Sequence, residues 1–316
     1  MKHFNSLVSV IMPVYNGSEY IEDAISSVLT QTHHDIELVI IDDGSTDQTA
    51  LVVEKIADID NRVRYIKQKN KGPAAARNKG ILESKGFFIS FLDADDIWIK
   101  NKLEKQLCFL ERDENIVVYG GSQYIYNTID APKKPRVVNF KNFSSNEEFL
   151  EHLAFSSSSE IAFTCAVLLK KTLLDEVGYF DETLQNAEDW DVWLRLACKY
   201  NFYALQEIVF LRRKHHSSQT STLMLDKMIQ NEITVLNKLE KMQKRPQLPF
   251  SKIYGLKYNE IAHHLRSRKR HLDAIKFMKK SICVYPNLFF SLAVIKFFIA
   301  TTLSLILNPI LGDSSD

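Results

Sequence analysis

The amino-terminal part of the chain alternates short apolar runs with stretches of helical periodicity. Residues 8–12, 38–41, 63–66 and 87–92 read as four buried strands, and Ile21, Ala24, Ile25, Val28 and Leu29 recur at the spacing of one helix face. Enough chain separates successive runs for a crossover helix, so the pattern predicts a parallel sheet of the α/β class. Ligands of such sheets bind beyond the carboxyl ends of the strands. The residues just after each run therefore carry the most weight.

Pro13, Val14, Tyr15, Asn16 and Gly17 follow the first run, and Asp42, Asp43, Gly44 and Ser45 follow the second. Turn formation accounts for either segment taken alone, but polar groups at several strand ends would share one crevice. The fourth run, FFISFL, ends in Asp93, Asp95 and Asp96 with only Ala94 among them. Two carboxylates about 4 Å apart repel by roughly 4 kcal/mol at an effective dielectric of about 20, so an ionised cluster needs a metal, a proton or wide splaying. Carboxylate oxygen suits hard ions such as Mg²⁺ or Mn²⁺, which add water and phosphate ligands, so the cluster points to a phosphorylated substrate. The competing reading is that Asp95 or Asp96 caps a helix expected over residues 99–111.

Further along, residues 121–135 and 156–159 read as loops, residues 161–169 as another buried strand, and residues 188–199 as a helix. Beyond Ser221 the pattern is helical and lysine-rich, with a break at Pro246 and Pro249. Tyr258, Ile261, Ala262, Leu265, Ala274, Met278 and Pro286 fit one tetratricopeptide-like helical hairpin. The expected organisation is a catalytic domain over residues 1–221 and a helical region over residues 222–316.

The segments SVIMPVYNG, IIDDGSTDQT, NKGPAAARNKG, FLDADD, GYFDE and AEDWDVWLRLA occur in this order. As an ordered set they resemble the family 2 glycosyltransferases with the GT-A fold, over roughly residues 6–221. The resemblance implies a Rossmann-like, mostly parallel sheet with flanking helices. It also implies inverting transfer of a sugar from a nucleotide diphosphate to an acceptor hydroxyl, in cell-surface glycan or polysaccharide synthesis. Asp93-Ala94-Asp95 matches the DxD motif that holds Mn²⁺ or Mg²⁺ on the donor diphosphate, with Asp95 as direct ligand and Asp93 toward the ribose or a metal-bound water.

Asp43 matches the acid that binds the donor base, with Pro13, Tyr15 and Asn16 in the loop beneath it and Asp42 orienting that loop. A carboxylate accepting an imide N–H selects uracil or thymine, because a base without that donor leaves a buried acceptor unpaired. The expected donor is a UDP-sugar. Arg77 matches a position near the nucleotide, at a helix start whose free N–H groups favour an anion. Glu188-Asp189 matches the ED motif: Asp189 as general base on the face opposite the leaving diphosphate, and Glu188 orienting it or an acceptor hydroxyl. The helix macrodipole favours acids there on stability grounds alone and would make Asp189 less basic. Trp190 and Trp193 serve either to stack on a sugar or to pack the helix. Arg213, His215, Ser218 and Thr220 match a looser pattern that closes over the diphosphate, although residues 212–216 read equally as a solvated basic patch.

Competing classes fare worse. No GxGxxG follows the first strand, which argues against a dinucleotide-dependent oxidoreductase, and the glycine-rich signature of a sugar nucleotidyltransferase is missing there too. No QxxRW follows the ED segment, so single-sugar transfer is expected over processive synthesis. A catalytically silent binding module would have no use for Asp95 and Asp189 together.

Composition adds compartment and size. At 316 residues and 45% hydrophobic, the chain can bury one full core and a smaller second one. A net charge of +1 carries no nucleic-acid signal. Cys108, Cys165, Cys198 and Cys283 are scattered without CxxC spacing, and the apolar run at residues 7–14 is short and broken by Pro13, so a cytoplasmic protein without a signal peptide is expected. Residues 288–307 reach the length of about 20 apolar residues that a bilayer requires. Lys296 near their middle would cost about 2.5–3.5 kcal/mol. With Arg266, Arg268, Lys269, Arg270, Lys276, Lys279 and Lys280 upstream, peripheral attachment to the inner face of the cytoplasmic membrane is favoured over packing on the catalytic domain or a true span, and it would suit a lipid-linked glycan acceptor.

Overall fold

The computed structural model describes residues 6–126, 137–138, 143–155, 164–184, 186–214, 222–242 and 248–311. The chain divides into two compact units, Met1–Thr220 and Ser221–Asp316. In the first, β1 (Val8–Val14), β2 (Ile36–Asp42), β3 (Val63–Lys67) and β4 (Phe88–Phe91) are parallel neighbours in the order β3-β2-β1-β4, joined through α1 (Ile21–Leu29), α2 (Thr49–Ala57) and α3 (Pro73–Glu83). All four expected strands form. β1, β2 and β4 are apolar on both faces and both faces are covered: Val10, Ile11, Met12, Leu38, Val39, Ile40, Phe88 and Phe91 are fully buried, whereas β3 at the sheet edge buries mainly Val63.

The second half of the sheet is mixed rather than parallel. β5 (Ile97–Trp98), α4 (Lys102–Leu110), β6 (Ile116–Tyr126), β7 (Val137–Val138), α5 (Asn146–Phe155), β8 (Leu168–Lys170), α6 (Lys171–Val177), α7 (Glu188–Ala197) and β9 (Asn201–Lys214) follow in chain order. The sheet runs β3-β2-β1-β4-β8-β6-β9-β5, with β8 antiparallel to both β4 and β6, β6 parallel to β9, and β7 on β6. Two sequence readings change here. Residues 121–126 belong to β6 and not to a loop, since a register shift at Gly120 and Gly121 absorbs the glycine pair and the ladder to β9 continues to Tyr126 opposite Lys214. Residues 97–98 pair with Phe210 and Leu211, so α4 starts only at Lys102 behind Asn101, and neither Asp95 nor Asp96 caps it.

The described part of the expected strand at residues 161–169 is a 3-10 turn, Thr164–Ala166, leading into β8. The serine run at 156–159 lies outside the described residues.

Helix α3 lies unusually close to β1. A Cβ placed on Gly80 would collide with the Ile11 side chain, so glycine sets the approach. This seats Arg77, one turn earlier on α3, beside the strand ends.

The second unit holds α8 (Thr222–Met242), α9 (Phe250–Ser267), α10 (His271–Val284) and α11 (Leu292–Leu311). Ile229, Ile261, Ala262, Leu265, Ala274, Met278, Val294 and Phe297 form its core. Of the hairpin positions read from the sequence, Tyr258, Ile261, Ala262, Leu265, Ala274 and Met278 thus pack together on α9 and α10, and Pro286 begins the turn after α10. No helix of the described residues is long and apolar enough to cross a membrane. On α11, Val294 and Phe297 face inward while Lys296 is exposed.

Gly80→Ala should destabilise the protein by about 1–2 kcal/mol, because overpacking against Ile11 costs about 1–3 kcal/mol and improved helix propensity offsets up to about 1 of that. The shift in urea midpoint at constant slope would measure it.

Candidate active site

The register that sets Val14 opposite Asp42 makes the loops after β1 and β2 neighbours. Asn16 adopts a left-handed φ of 52°, a conformation asparagine tolerates, and its Oδ1 accepts from Thr46 N at 2.8 Å. Asn16 N donates to Ser45 Oγ at 2.9 Å and Gly17 N to Thr49 Oγ1 at 3.0 Å. Asp42 orients this loop as expected: its Oδ1 accepts from Ser45 N at 2.7 Å and its Oδ2 from the Tyr65 hydroxyl. Asp43, 4% exposed, accepts from Gln68 Nε2 at 2.7 Å, Lys71 N at 2.9 Å and Gly72 N at 2.8 Å. The amides of Lys71 and Gly72, just ahead of α3, are therefore held by Asp43. Pro13 lies within β1, and the Tyr15 ring is 51% exposed beyond it.

At the end of β4 the acids separate by environment. Asp93 keeps a side chain 39% exposed and accepts from Arg77 Nη2 at 3.0 Å. Arg77 is 7% exposed, and its Nη1 donates to Glu188 Oε1 at 2.9 Å. One guanidinium thus joins the DADD turn to the first residue of α7. Burial disfavours its charge, but Asp93 and Glu188 outweigh this and push its pKa up. Removing one partner of such a buried charge pair typically costs about 3–5 kcal/mol. The neighbouring Asn78 donates to Phe180 O and to Glu182 Oε1, each at 2.9 Å, and accepts from Phe180 N at 2.9 Å. The GYFDE segment is therefore a brace between α3 and α7.

Asp96 turns inward. It accepts from Arg213 N at 3.0 Å and from the Cys165 thiol at 3.4 Å, while Cys165 Sγ accepts from Asp93 N at 3.3 Å. Burial, with Asp93 and Asp95 nearby, pushes the Asp96 carboxyl well up, and burial does the same to the Cys165 thiol. Behind them Lys102 Nζ is buried over the Trp98 ring and donates to Ser90 Oγ at 3.0 Å and Gln106 Oε1 at 2.7 Å; burial pushes its pKa well down. Sequence reasoning missed Cys165 and Lys102. A cysteine and a lysine far apart in the chain carry no local pattern that would announce this layer.

Arg213 sits on β9, where Leu211 pairs with Ile97 just after the acids. Its Nε donates to Asp95 O at 3.0 Å and its Nη2 to Asp23 at 3.1 Å, and the guanidinium lies 4.7 Å from the Tyr20 ring centroid. It is anchored to the acid turn and α1. His215, Ser218 and Thr220 lie outside the described residues.

On α7, Glu188 Oε2 accepts from Ala187 N at 3.1 Å, and Asp189 Oδ1 accepts from Trp190 N at 2.7 Å. Desolvation, and then the Glu188 charge, push the Asp189 carboxyl up to about 7, against the pull of Arg77 and the Trp190 amide. The direction is opposite to the expectation of a less basic Asp189. Trp190 and Trp193 are both buried: Trp190 Nε1 donates to Leu153 O at 2.7 Å, and Trp193 packs on Phe91 and Phe180. Neither is a sugar platform.

An α/β sheet whose adjoining strand ends carry a DxD turn, with an ED helix bound to that turn through an arginine, defines a nucleotide-sugar transferase of the GT-A type. The family model described as "Glycosyl transferase family 2" matches residues 9–177, more than half of the chain. An uncharacterized glycosyltransferase of Rickettsia prowazekii is 30% identical over 247 residues, which are 78% of this chain and 75% of that protein. Among solved structures, S. aureus TarS 1-349 in complex with UDP-GlcNAc matches with a TM-score of 0.64 at 19% identity, over 98% of this chain and 93% of that one. The mannosyltransferase PcManGT from Pyrobaculum calidifontis, in complex with GDP-Man and Mn²⁺, matches with a TM-score of 0.56 at 18% identity, over 94% and 80%. The chain belongs to glycosyl transferase family 2. It is an inverting glycosyltransferase that moves a sugar from a nucleotide diphosphate donor to an acceptor.

In the ligand-free protein, the Asp189 carboxyl carbon should titrate by NMR with a midpoint near 7, far above the ordinary aspartate value of 3.8. Because the folded-state pKa is the higher one, the folded chain binds more protons across that window, and this group's contribution to stability is lost as pH rises through about 7. Asp189→Asn should flatten that slope.

Proposed function

We propose that Asp189 is the general base, that Asp95 and Asp93 hold a divalent cation on the donor diphosphate, and that the donor is a UDP-sugar. The observation that carries this reading is the Arg77 bridge, 3.0 Å to Asp93 and 2.9 Å to Glu188, which draws the donor acids and the base to one cleft. Attack opposite the departing diphosphate needs a proton acceptor on the acceptor side. Asp189, held near pKa 7 beside Glu188, suits that transfer at neutral pH. Glu188, fixed by Arg77, keeps the start of α7 in place.

The acid turn fits a hard cation. Asp93 and Asp95 share one turn, both reach solvent, and both offer oxygen. Ligand atoms of Asp93, Asp96 and Cys165 also lie within 4.8 Å of one another. Asp96 and Cys165 bond to each other inside the protein, however, and a thiol suits Mn²⁺ or Mg²⁺ poorly. When bound, the cation would supply Lewis acidity at the departing diphosphate oxygen.

TarS is in complex with UDP-GlcNAc and PcManGT with GDP-Man, so the shared fold does not choose the base. In this chain the choice falls to Asp43. It accepts three hydrogen bonds from the protein, and a carboxylate has about four acceptor sites, leaving one for an imide N–H. Tyr15 lies exposed at the same strand end for the base to rest on.

The acceptor in this reading is a glycan, lipid-linked and met at the cytoplasmic face of the membrane. Residues 274–312 contain Lys276, Lys279, Lys280 and Lys296 but no Asp or Glu. Those lysines are exposed, as are Phe289, Leu292, Ile295 and Ile299, a combination that favours an anionic lipid surface.

Asp189→Asn should lower transfer by about 10²- to 10⁴-fold while calorimetric UDP affinity stays within about threefold of wild type. Wild-type transfer in the variant would remove Asp189 from the mechanism. Asp95→Ala should abolish the Mn²⁺ dependence of UDP affinity, and an unchanged dependence would refute the ligand assignment. The full chain should cosediment with vesicles containing phosphatidylglycerol and remain in solution with neutral phosphatidylcholine vesicles. Ile295→Glu combined with Ile299→Glu should release it, and equal partition of wild type and variant would dispose of the membrane contact.

A further inference from the structure

We propose that Arg77 is a positioning residue that clamps the donor-holding turn after β4 to the base-bearing helix α7, and that it makes no contact with the nucleotide. The inference rests on Asp189 as base and extends that reading to what holds the base in place.

Both terminal nitrogens of Arg77 are already engaged, one by Asp93 and one by Glu188. Its Nε is buried with no hydrogen-bond partner among the described residues. The guanidinium carbon lies 5.6 Å from the Phe180 ring centroid, and Phe180 itself packs edge-on against Phe91 and Trp193. A phosphate or base would have to displace a carboxylate to reach this fork. Asp93, and not Arg77, is the open member of the pair.

The clamp has two jaws on successive residues. Asn78 bonds both the N–H and the carbonyl of Phe180, fixing the segment that leads into α7, while Arg77 holds α7 by its first residue. The turn of chain carrying Asp189 is thereby pinned from both sides to α3. Displacement of a reacting group by about 1 Å can cost about 10²-fold in rate, so such a pin matters to turnover without touching substrate.

Arg77→Met, Arg77→Lys, Glu188→Gln and the double variant Arg77→Met/Glu188→Gln test this, with donor KM, kcat and its pH profile, and metal-free UDP affinity measured for each. Arg77→Met should lower kcat by about 10²-fold and leave metal-free UDP affinity within about twofold. The charged groups facing Asp189 are Glu188 on its own helix, Arg77 on α3 and Asp93 after β4. Loss of the cation should therefore shift the acidic limb of the kcat profile to higher pH, which a purely structural role would not do. Arg77→Lys should recover part of kcat and move the limb back. In the double variant the effects should be less than multiplicative by at least about threefold, since both changes act on one contact.

A tenfold loss of UDP affinity or rise in donor KM with kcat retained would make Arg77 a nucleotide contact and overturn the proposal, as would strictly multiplicative effects. If Arg77→Met does not fold, the double variant, whose glutamate partner is neutral, and Arg77→Lys carry the same comparison. Asp189→Asn serves as the separate control. Wild-type turnover there would defeat the base assignment, whereas the UDP affinities and the Arg77–Glu188 coupling would still decide the clamp.

Discussion

A single buried guanidinium holds this site together. Asp93 arrives from β4 and Glu188 from α7, and two carboxylates brought that near each other would repel without a cation between them. Arg77 supplies it at 3.0 and 2.9 Å. It can do so only because Gly80 lets α3 lie against Ile11 on β1, and because Asn78 ties the GYFDE segment to the same helix. Close helix packing, a braced loop and a shared charge are thus successive conditions for one geometry.

Charge is layered around that geometry. Asp93 and Asp95 reach solvent at the turn, while Glu188 is buried against Arg77 beside Asp189 at the start of α7. Directly behind them the protein keeps a layer whose ionisable members are pushed toward neutrality, with the Asp96 carboxyl and the Cys165 thiol raised and the Lys102 amine lowered by burial. This layer fixes the turn through hydrogen bonds from Arg213 N and the Cys165 thiol to Asp96 and from Asp93 N to Cys165. The potential seen by a diphosphate is then set by the acids and by Arg77 and Arg213, both of which hold protein groups.

Family membership and fold follow from residues 9–177 and from the strand order. Substrate choice does not, since similar folds are in complex with UDP-GlcNAc and with GDP-Man. What distinguishes this chain has to come from its own side chains, of which Asp43 is the most constrained. It braces the entry to α3 through Lys71 N and Gly72 N and so ties the loop after β2 to the helix that carries Arg77.

The sequence by itself determined the four parallel strands, the loops at their ends and the family, because buried strands need continuous apolar runs and the short motifs are local in the chain. It also determined that Asp42 would orient its loop, an interaction spanning three residues to Ser45. Tertiary structure decided the rest. β6 continued through a glycine pair because β9 supplied a ladder, and Trp190 and Trp193 were buried by neighbours from α5, β4 and the GYFDE segment. Arg77 became a bridge because its partners lie 16 and 111 residues away. Asp189 became more basic, not less, since desolvation and a neighbouring charge depend on packing that no local pattern encodes.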